Sequence, residues 1–182
     1  METFTYELKI PEERVAVLIG KNGATKKMLE SQLGIKISVD SEEGDVIING
    51  EDGLKLFTAR EIIRAVGRGF NPETALKLAT LDYAFELMRI DDYSRTKNDL
   101  FRLRGRVIGK DGKSREVIEE LTGCDVSVYG KTVGIIGPVE QTLIARRAVD
   151  MLLQGSMHAT VYKFLEGQKR AAKMAARSQM RE

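Results

Sequence analysis

The sequence contains one phrase twice, as VLIGKNGATKKMLE at residues 17–30 and as RVIGKDGKSREVIE at residues 106–119. When Gly20 is set against Gly109, the two halves align at an offset of 89, which has shortened to 86 where Ala59 faces Ala145. Self-similarity over this distance, in a chain of 182 residues, predicts two copies of one small domain rather than a solenoid of short units. We therefore expect a tandem duplication, with one domain at 1–80 and the other at 81–182.

The composition limits the classes of protein and of site. A chain that is 42% hydrophobic and 31% charged is typical of a folded protein, and its net charge of +2 gives little long-range attraction for polyanions. The single cysteine, Cys124, excludes an internal disulfide, and the single histidine, His158, excludes a Cys/His zinc site. The N-terminus has acids where a signal peptide needs lysines, and no run approaches about 18 apolar residues. We expect a soluble cytoplasmic protein with no membrane partner.

Each copy is predicted to run strand, helix, glycine loop, helix, strand, strand, helix. In the first copy FTYELKI alternates as a strand does, and ATKKMLESQL is a helix that ends at Gly34. The last helix of this copy is predicted over GLKLFTAREIIRAVGRG, with its core-facing side chains at Phe57, Ile62, Ile63 and Val66. FNPETALKLATLD, between the copies, is predicted to be a connecting helix.

A G-x-x-G bracket carries little information alone, because a chain with 17 glycines contains four of them. Only GKNG at 20–23 and GKDG at 109–112 lie between amphipathic helices. There the glycines permit a tight turn, the first amides of the next helix favour an anion, and Lys21 or Lys110 adds charge. We interpret the two brackets as phosphate clamps; the alternative is a tight helix-helix turn with a solvated lysine.

Cations surround both brackets. Lys26 and Lys27 follow the first one, and the segment 97–115 has seven cations against the acids Asp99 and Asp111. This local excess predicts a contact with a polyanion that the net charge of the chain conceals. Asp111 is unfavourable beside a phosphate path.

The phrase IGKxG after an amphipathic helix, followed by a helix, two strands around a variable turn and a long helix, resembles the type I KH domain. The resemblance implies an α+β fold of two tandem type I KH domains. Each would run β-α-α-β-β-α, with a three-stranded antiparallel sheet and helices on one face. KH modules hold about four single-stranded nucleotides, with the glycine loop on the backbone and an apolar groove at the bases.

GFNPETALKL, GRVIGKDGKSREVIEELTG, VSVYGKTVGIIG and GSMHATVYKFLE resemble the partner-of-Nob family of two-KH factors in small-subunit ribosomal RNA maturation. The short N-terminus and the intact first bracket resemble an archaeal member. The family implies binding to single-stranded RNA near the 3′ end of the small-subunit rRNA. It also implies partnership with the processing nuclease and other assembly factors, and no enzymatic activity or cofactor.

The predicted RNA-binding residues form two sets, which combine the bracket positions carried over from the resemblance with the flanking cations and with Ile37 and Val126 in the grooves. No catalytic or metal-binding residue is predicted. In the first copy they are Gly20, Lys21, Asn22, Gly23, Lys26, Lys27 and Ile37. In the second they are Arg104, Arg106, Gly109, Lys110, Asp111, Gly112, Lys113, Arg115 and Val126.

Two alternatives remain at this point. GKDGKS contains the end of a P-loop, but the glycine that the motif requires at position 107 is a valine, and a helix rather than a strand leads into it. Asp91 and Asp92 are expected on opposite faces of a strand, which disfavours an acid/base pair. The second alternative is an assembly scaffold in which the repeat is purely structural.

The segment GQKRAAKMAARSQMRE at the end of the sequence is basic and rich in alanine, which favours a helix. It would either extend an RNA path or bind a protein. Its cations are Lys169, Arg170, Lys173, Arg177 and Arg181.

Overall fold

The structure is a computed structural model that describes residues 3–179, so Arg181 of the basic segment lies outside the described residues. The chain divides into two compact units, one that ends at Phe85 and one that begins at Glu86. The domain limits at 1–80 and 81–182 stay a prediction. None of the helices between residues 3 and 179 has the length and apolar character needed to cross a membrane.

Unit 1 has the predicted order of elements. The three strands form an antiparallel sheet in the order β1-β3-β2, in which Tyr6 and Ile37 both pair with Ile48. The elements are β1 Phe4–Lys9, α1 Glu12–Ile19, α2 Ala24–Leu33, β2 Lys36–Val39, β3 Asp45–Gly50, α3 Gly53–Gly67 and α4 Pro72–Ala75. The predicted connecting helix is this short α4, capped by Asn71 and continued by a 3₁₀ turn at Leu76–Ala79.

Unit 2 repeats this order, and its sheet has the order β4-β6-β5. Its elements are β4 Tyr83–Arg89, α5 Lys97–Ile108, α6 Lys113–Thr122, β5 Asp125–Tyr129, β6 Thr132–Pro138, α7 Val139–Leu153 and α8 His158–Gln179. The predicted α+β fold with two three-stranded antiparallel sheets is confirmed. The last helix, α8, packs against α6 and α7 through Val161 and Leu165, which are buried.

The core of unit 1 lies between the sheet and the helices. Period-two alternation places Ile37, Val46 and Ile48 inside, while Ile47 is exposed. The prediction that Phe57 faces the core is wrong, because its ring is 48% exposed and the neighbouring Leu56 is buried instead. Successive side chains of a helix are about 100° apart, and here the one-residue step from Leu56 turns Phe57 toward solvent.

The other predicted core residues of α3, which are Ile62, Ile63 and Val66, are buried. Cys124 is also buried, and it packs against Gly137. A Cβ atom added to Gly137 would lie only 2.6 Å from the Cys124 sulfur. The equivalent Gly50 would meet Ile35 at 3.3 Å. This burial confirms the interpretation of Cys124 as a small apolar core side chain, and it also raises the pKa of the thiol.

In each unit one arginine links the helix that precedes the bracket to the end of a later helix. The linked helices are α1 and α3 in unit 1, and α5 and α7 in unit 2. In unit 1, Arg14 donates from Nε to the carbonyl oxygen of Val66 at 2.8 Å and from Nη2 to that of Phe70 at 2.7 Å. In unit 2, Arg106 donates from Nε to the carbonyl oxygen of Leu152 at 2.9 Å, and from Nη2 to that of Ser156.

The accepting carbonyls occupy equivalent positions at the offset of 86, but the two arginines do not. Arg14 aligns with Leu103, about one helical turn before Arg106. The same contact is therefore made from two positions in the repeat. Arg106 is also held through its own carbonyl oxygen, which lies 2.8 Å from Nε2 of His158.

We predict that Arg106→Ala lowers the free energy of unfolding of unit 2 by about 2–3 kcal/mol, since it leaves two half-buried carbonyl groups without their charged donor. Arg102→Ala is the matched control, because Arg102 pairs only on the surface with Asp99 at 2.6 Å. The control is expected to change stability by about 0.5 kcal/mol or less. Urea unfolding followed by circular dichroism measures both variants, and equal losses would contradict the role of Arg106.

Candidate nucleic-acid interface

The two glycine brackets have the same backbone conformation. Gly20 has φ 72° and ψ 174°, and Gly109 has φ 75° and ψ 172°. This region is essentially accessible to glycine alone. Space requires glycine as well, since a Cβ would lie 2.2 Å from Oγ1 of Thr25 in the first bracket and 2.6 Å from Cβ of Ser114 in the second.

The third bracket position explains why an acid is tolerated at Asp111. Asn22 and Asp111 both have a φ of 54°, with ψ of 27° and 29°. Among non-glycine residues, asparagine and aspartate are the ones that most readily adopt this left-handed conformation. Aspartate at position 111 is therefore favoured by the backbone conformation, and its negative charge is tolerated for that reason.

The fourth bracket position begins a helix without a side-chain cap. Gly23 and Gly112 are left-handed N-cap residues of α2 and α6, with a φ of 76° in both, and neither helix has a side-chain hydrogen bond at its cap. The amide of the first residue of each helix donates back into the bracket, from Ala24 to the carbonyl oxygen of Lys21 and from Lys113 to that of Lys110. The amides that follow in the first turn, together with the helix dipole, favour an anion. Ser114 Oγ is buried in the first turn of α6 with no hydrogen-bond partner within the described residues.

Exposed cations surround these helix starts. In unit 1 Lys21 and Lys27 are exposed, and Lys26 is half-buried. In unit 2 Lys110 and Arg115 are exposed. Lys113, in the first turn of α6, lies 3.6 Å from Glu116, and both side chains are largely exposed.

Two arginines before the second bracket are already engaged within unit 2. The guanidinium of Arg106 binds the two carbonyls described above, and that of Arg102 binds Asp99. The count of seven cations in the sequence thus overstates the charge that a ligand can reach. Arg104 is half-buried on α5, and its guanidinium carbon lies 5.9 Å from the ring centroid of Phe101.

Ile37 and Val126, which the sequence placed in the grooves, are only 2% and 4% exposed. Their amide groups are bound as well, each donating at 2.8 Å to a glutamate of the helix after the bracket, Glu30 or Glu119. Their side chains therefore pack the core and offer no surface to a base. Ile19 and Ile108, which directly precede the brackets, are half-buried, as are Val39 in β2 and Val128 in β5.

The turns between the two strands that follow each bracket differ in charge. In unit 1 the turn is acidic, and Asp40 accepts hydrogen bonds from the amides of Glu42 and Glu43 at 2.9 and 3.2 Å. These two hydrogen bonds lower the pKa of Asp40. In unit 2 β5 and β6 are joined by Gly130 and Lys131 alone. The turns that join these two strands thus carry opposite charge in the two units.

The geometry also bears on the enzyme alternatives. A helix, α5, enters the second bracket, and position 107 is a buried valine, so the requirements of a P-loop are not met. The expectation that Asp91 and Asp92 lie in a strand is wrong, because they form a 3₁₀ turn and both face Arg89, at 2.7 and 3.8 Å. The hydrogen bond from Arg89 lowers the pKa of Asp91, so this carboxyl is unsuited to take up a proton at neutral pH.

We predict that Gly109→Ala destabilises unit 2 more than Gly112→Ala. Gly112→Ala forces a side chain into the left-handed helical region, which costs about 1–2 kcal/mol, whereas Gly109→Ala forces one into a region essentially confined to glycine, which costs about 1–3 kcal/mol. Only Gly109→Ala adds a collision with Ser114, since a Cβ on Gly112 would meet no atom within 4 Å. Thermal unfolding measures the difference, and 1 kcal/mol corresponds to about 4–8 °C in a domain of this size. A lower Tm for Gly112→Ala would contradict the assignment.

Comparison with known proteins places the two units in one class. Residues 84–170 match the eukaryotic type KH-domain (KH-domain type I) as found in the second domain of PNO1, and residues 5–65 match the KH domain.

Three similar proteins span most of the chain. KH domain-containing protein MJ0443 of Methanocaldococcus jannaschii is 53% identical over 92% of this chain and 75% of its own length. The pre-rRNA-processing protein PNO1 of Yarrowia lipolytica is 28% identical over 86% of this chain and 63% of its own length. A chain in the crystal structure of the a/eIF2alpha-aDim2p-rRNA complex from Pyrococcus horikoshii OT3 is 44% identical, with a TM-score of 0.87, and covers 93% of this chain and 96% of that one.

The identity to the Methanocaldococcus protein extends over both units and includes both matched KH regions. The chain belongs to the Dim2p/PNO1 family of two-KH-domain proteins.

Proposed function

We propose that this protein binds single-stranded RNA through its two brackets and acts in the maturation of the small ribosomal subunit, near the 3′ end of its RNA. The observation that carries the proposal is the backbone match between the brackets, residue by residue, at positions that only glycine or a left-handed asparagine or aspartate accepts. The same backbone conformation occurs in both copies beside exposed lysines, and this combination supports an anionic ligand common to the two brackets.

Each bracket would hold the sugar-phosphate backbone in two ways. The first-turn amides that follow Ala24 in α2 or Lys113 in α6 donate to phosphate oxygens, and Lys21 or Lys110 adds an ionic contact at the tip. Gly23 and Gly112 let the RNA backbone approach, because a Cβ at either position would point into open space that the glycine leaves free. The bases then lie over the half-buried pairs Ile19 and Val39, or Ile108 and Val128.

The two grooves would contribute unequally to affinity. Unit 1 borders its groove with the acidic turn at Glu42 and Glu43, whereas unit 2 has Lys131 at the corresponding place. Repulsion between carboxylates and phosphates weakens binding, so unit 2 carries the larger share. Two linked sites on one strand still bind more tightly than either alone because of their effective concentration.

Relatives support the biological setting. PNO1 of Yarrowia is described as a pre-rRNA-processing protein, and the Pyrococcus chain is part of a complex with rRNA. By this likeness the protein would act in the cytoplasm without catalysis of its own, and would present or shield the 3′ cleavage site for the processing nuclease alongside other assembly factors.

We predict that Lys110→Asp weakens binding to a single-stranded oligonucleotide from the 3′ end of small-subunit rRNA by about 10- to 100-fold, as expected when a charge-assisted hydrogen bond is removed. Lys21→Asp should have a smaller effect and the double variant the largest. Fluorescence anisotropy across a salt series measures this, and the slope of log affinity against log salt should become shallower by about 0.7 for each phosphate that is no longer neutralised.

Lys163→Asp is the matched control, since Lys163 is an exposed lysine of α8 in unit 2 and belongs to neither bracket. A scrambled oligonucleotide tests for sequence preference. Unchanged binding in the double variant would refute the clamp and favour the scaffold alternative, in which the partner is a protein.

We predict that Asp111→Asn strengthens RNA binding by about fivefold at low salt, because it removes one negative charge beside the phosphate path while it keeps a residue that accepts a positive φ. Asn22→Asp should weaken binding in unit 1 by a similar factor. The effect should diminish as salt is raised. Anisotropy titrations at two salt concentrations measure both; an increase in affinity for Asn22→Asp would contradict the prediction.

A further inference from the structure

The helix that enters the second bracket carries an exposed aromatic ring. Phe101, in α5, is 69% exposed, although burial of a phenylalanine side chain is worth about 1.5–3 kcal/mol. Its equivalent at the offset of 89 is Glu12 in α1, so unit 1 has no ring at this place. A single exposed apolar side chain needs no explanation by itself, and the function of Phe101 has to be argued from its surroundings.

A cation lies against this ring. Arg104, one helical turn further along α5, has its guanidinium carbon 5.9 Å from the ring centroid of Phe101. Its Nε is buried and has no hydrogen-bond partner within residues 3–179. The ring and the guanidinium together form a flat, positively charged surface, which is the combination used to stack nucleic-acid bases beside their phosphates.

The surface between Phe101 and the bracket is open. Gly105 follows the ring by four residues and Ile108 by seven, so all three lie on one face of α5. A Cβ on Gly105 would meet no atom within 4 Å, and Ile108 is half-buried next to Gly109. The stripe from Phe101 to the bracket is about 12 Å long.

The opposite faces of α5 are occupied. Leu103 and Val107 are buried in the core of unit 2, and Arg106 binds the end of α7. Phe101 therefore lies on the one face of the helix that continues into the second bracket.

We propose that Phe101 stacks on a base of the RNA strand just outside the nucleotides held by the second bracket, and so lengthens the footprint of unit 2 beyond the four or so nucleotides of a KH groove. The inference rests on the RNA binding proposed above. Stacking accepts every base, so Phe101 adds affinity with little sequence preference. Continuity with the bracket and the cations Arg104 and Lys110 along the same stripe favour a polyanionic strand over a protein segment.

The experiment uses the full chain with Lys21→Asp, so that unit 2 dominates binding. Phe101→Ala is titrated with an eight-nucleotide and a four-nucleotide RNA of the same core sequence. The expected result is a loss of about 5- to 150-fold for the longer RNA, the range found for base-stacking rings, and little change for the shorter one.

Phe57→Ala is the matched control, since Phe57 is 48% exposed and has Arg60 at the same 5.9 Å, but lies on α3, which enters no bracket. Phe101→Trp gives a second readout, because the chain contains no tryptophan. Its emission should be quenched when the longer RNA binds, with affinity kept or increased.

The outcomes separate this inference from the proposed function. If Phe101→Ala binds both RNAs as the parent does while Lys110→Asp still abolishes binding, stacking is refuted and the clamp stands. An equal loss of affinity for both RNAs would also refute stacking, because it would mean that the substitution had damaged the bracket, which both RNAs occupy. Failure of the wild-type protein to bind either RNA at low salt would overturn both proposals.

Discussion

The structure of each unit depends on a glycine whose backbone no other residue could adopt in the space available. Gly20 and Gly109 turn the chain between two helices with the side chain of Thr25 or Ser114 directly behind them. This turn leaves the start of the second helix uncapped and brings it beside the end of the first. The anion-binding property of the bracket is thus a consequence of its packing, since the same backbone amides cannot be both capped and available.

Much of the fold and of the bracket could be predicted from the sequence, because the two aligned halves show which residue types the same fold uses at equivalent positions. The order of elements, the left-handed Gly34 and the bracket itself followed from periodicity and glycine spacing. The errors and omissions share a cause. Phe57 was misplaced by one position on a helix face, and the role of Arg106 could not be seen, since its partners are 46 and 50 residues away. The spacing of residues in the sequence shows which side chains share one face of a helix or strand. It does not show which group far along the chain a long side chain binds.

The two copies show which features of the fold can change. The carbonyls at the end of the last helix are bound by arginine in both units, from Arg14 in one and Arg106 in the other. Glu30 and Glu119, by contrast, hold the same strand amide from aligned positions. The turn between the two strands after the bracket differs in both length and charge. The hydrogen bonds that hold the helices and strand next to the bracket are thus present in both units, whereas the turn between the two strands differs. A change in this turn can alter ligand preference without loss of the fold.

The buried Cys124 has a further consequence for how this chain can be studied. It is the only thiol in the sequence, and it is 3% exposed against Gly137 at the start of β5. A thiol reagent can therefore react only when unit 2 opens, while unit 1 carries no competing group. The labelling rate reports the local opening equilibrium of unit 2 within the intact protein. The unit that holds the basic turn thus contains its own reporter of conformational opening, without any engineered label.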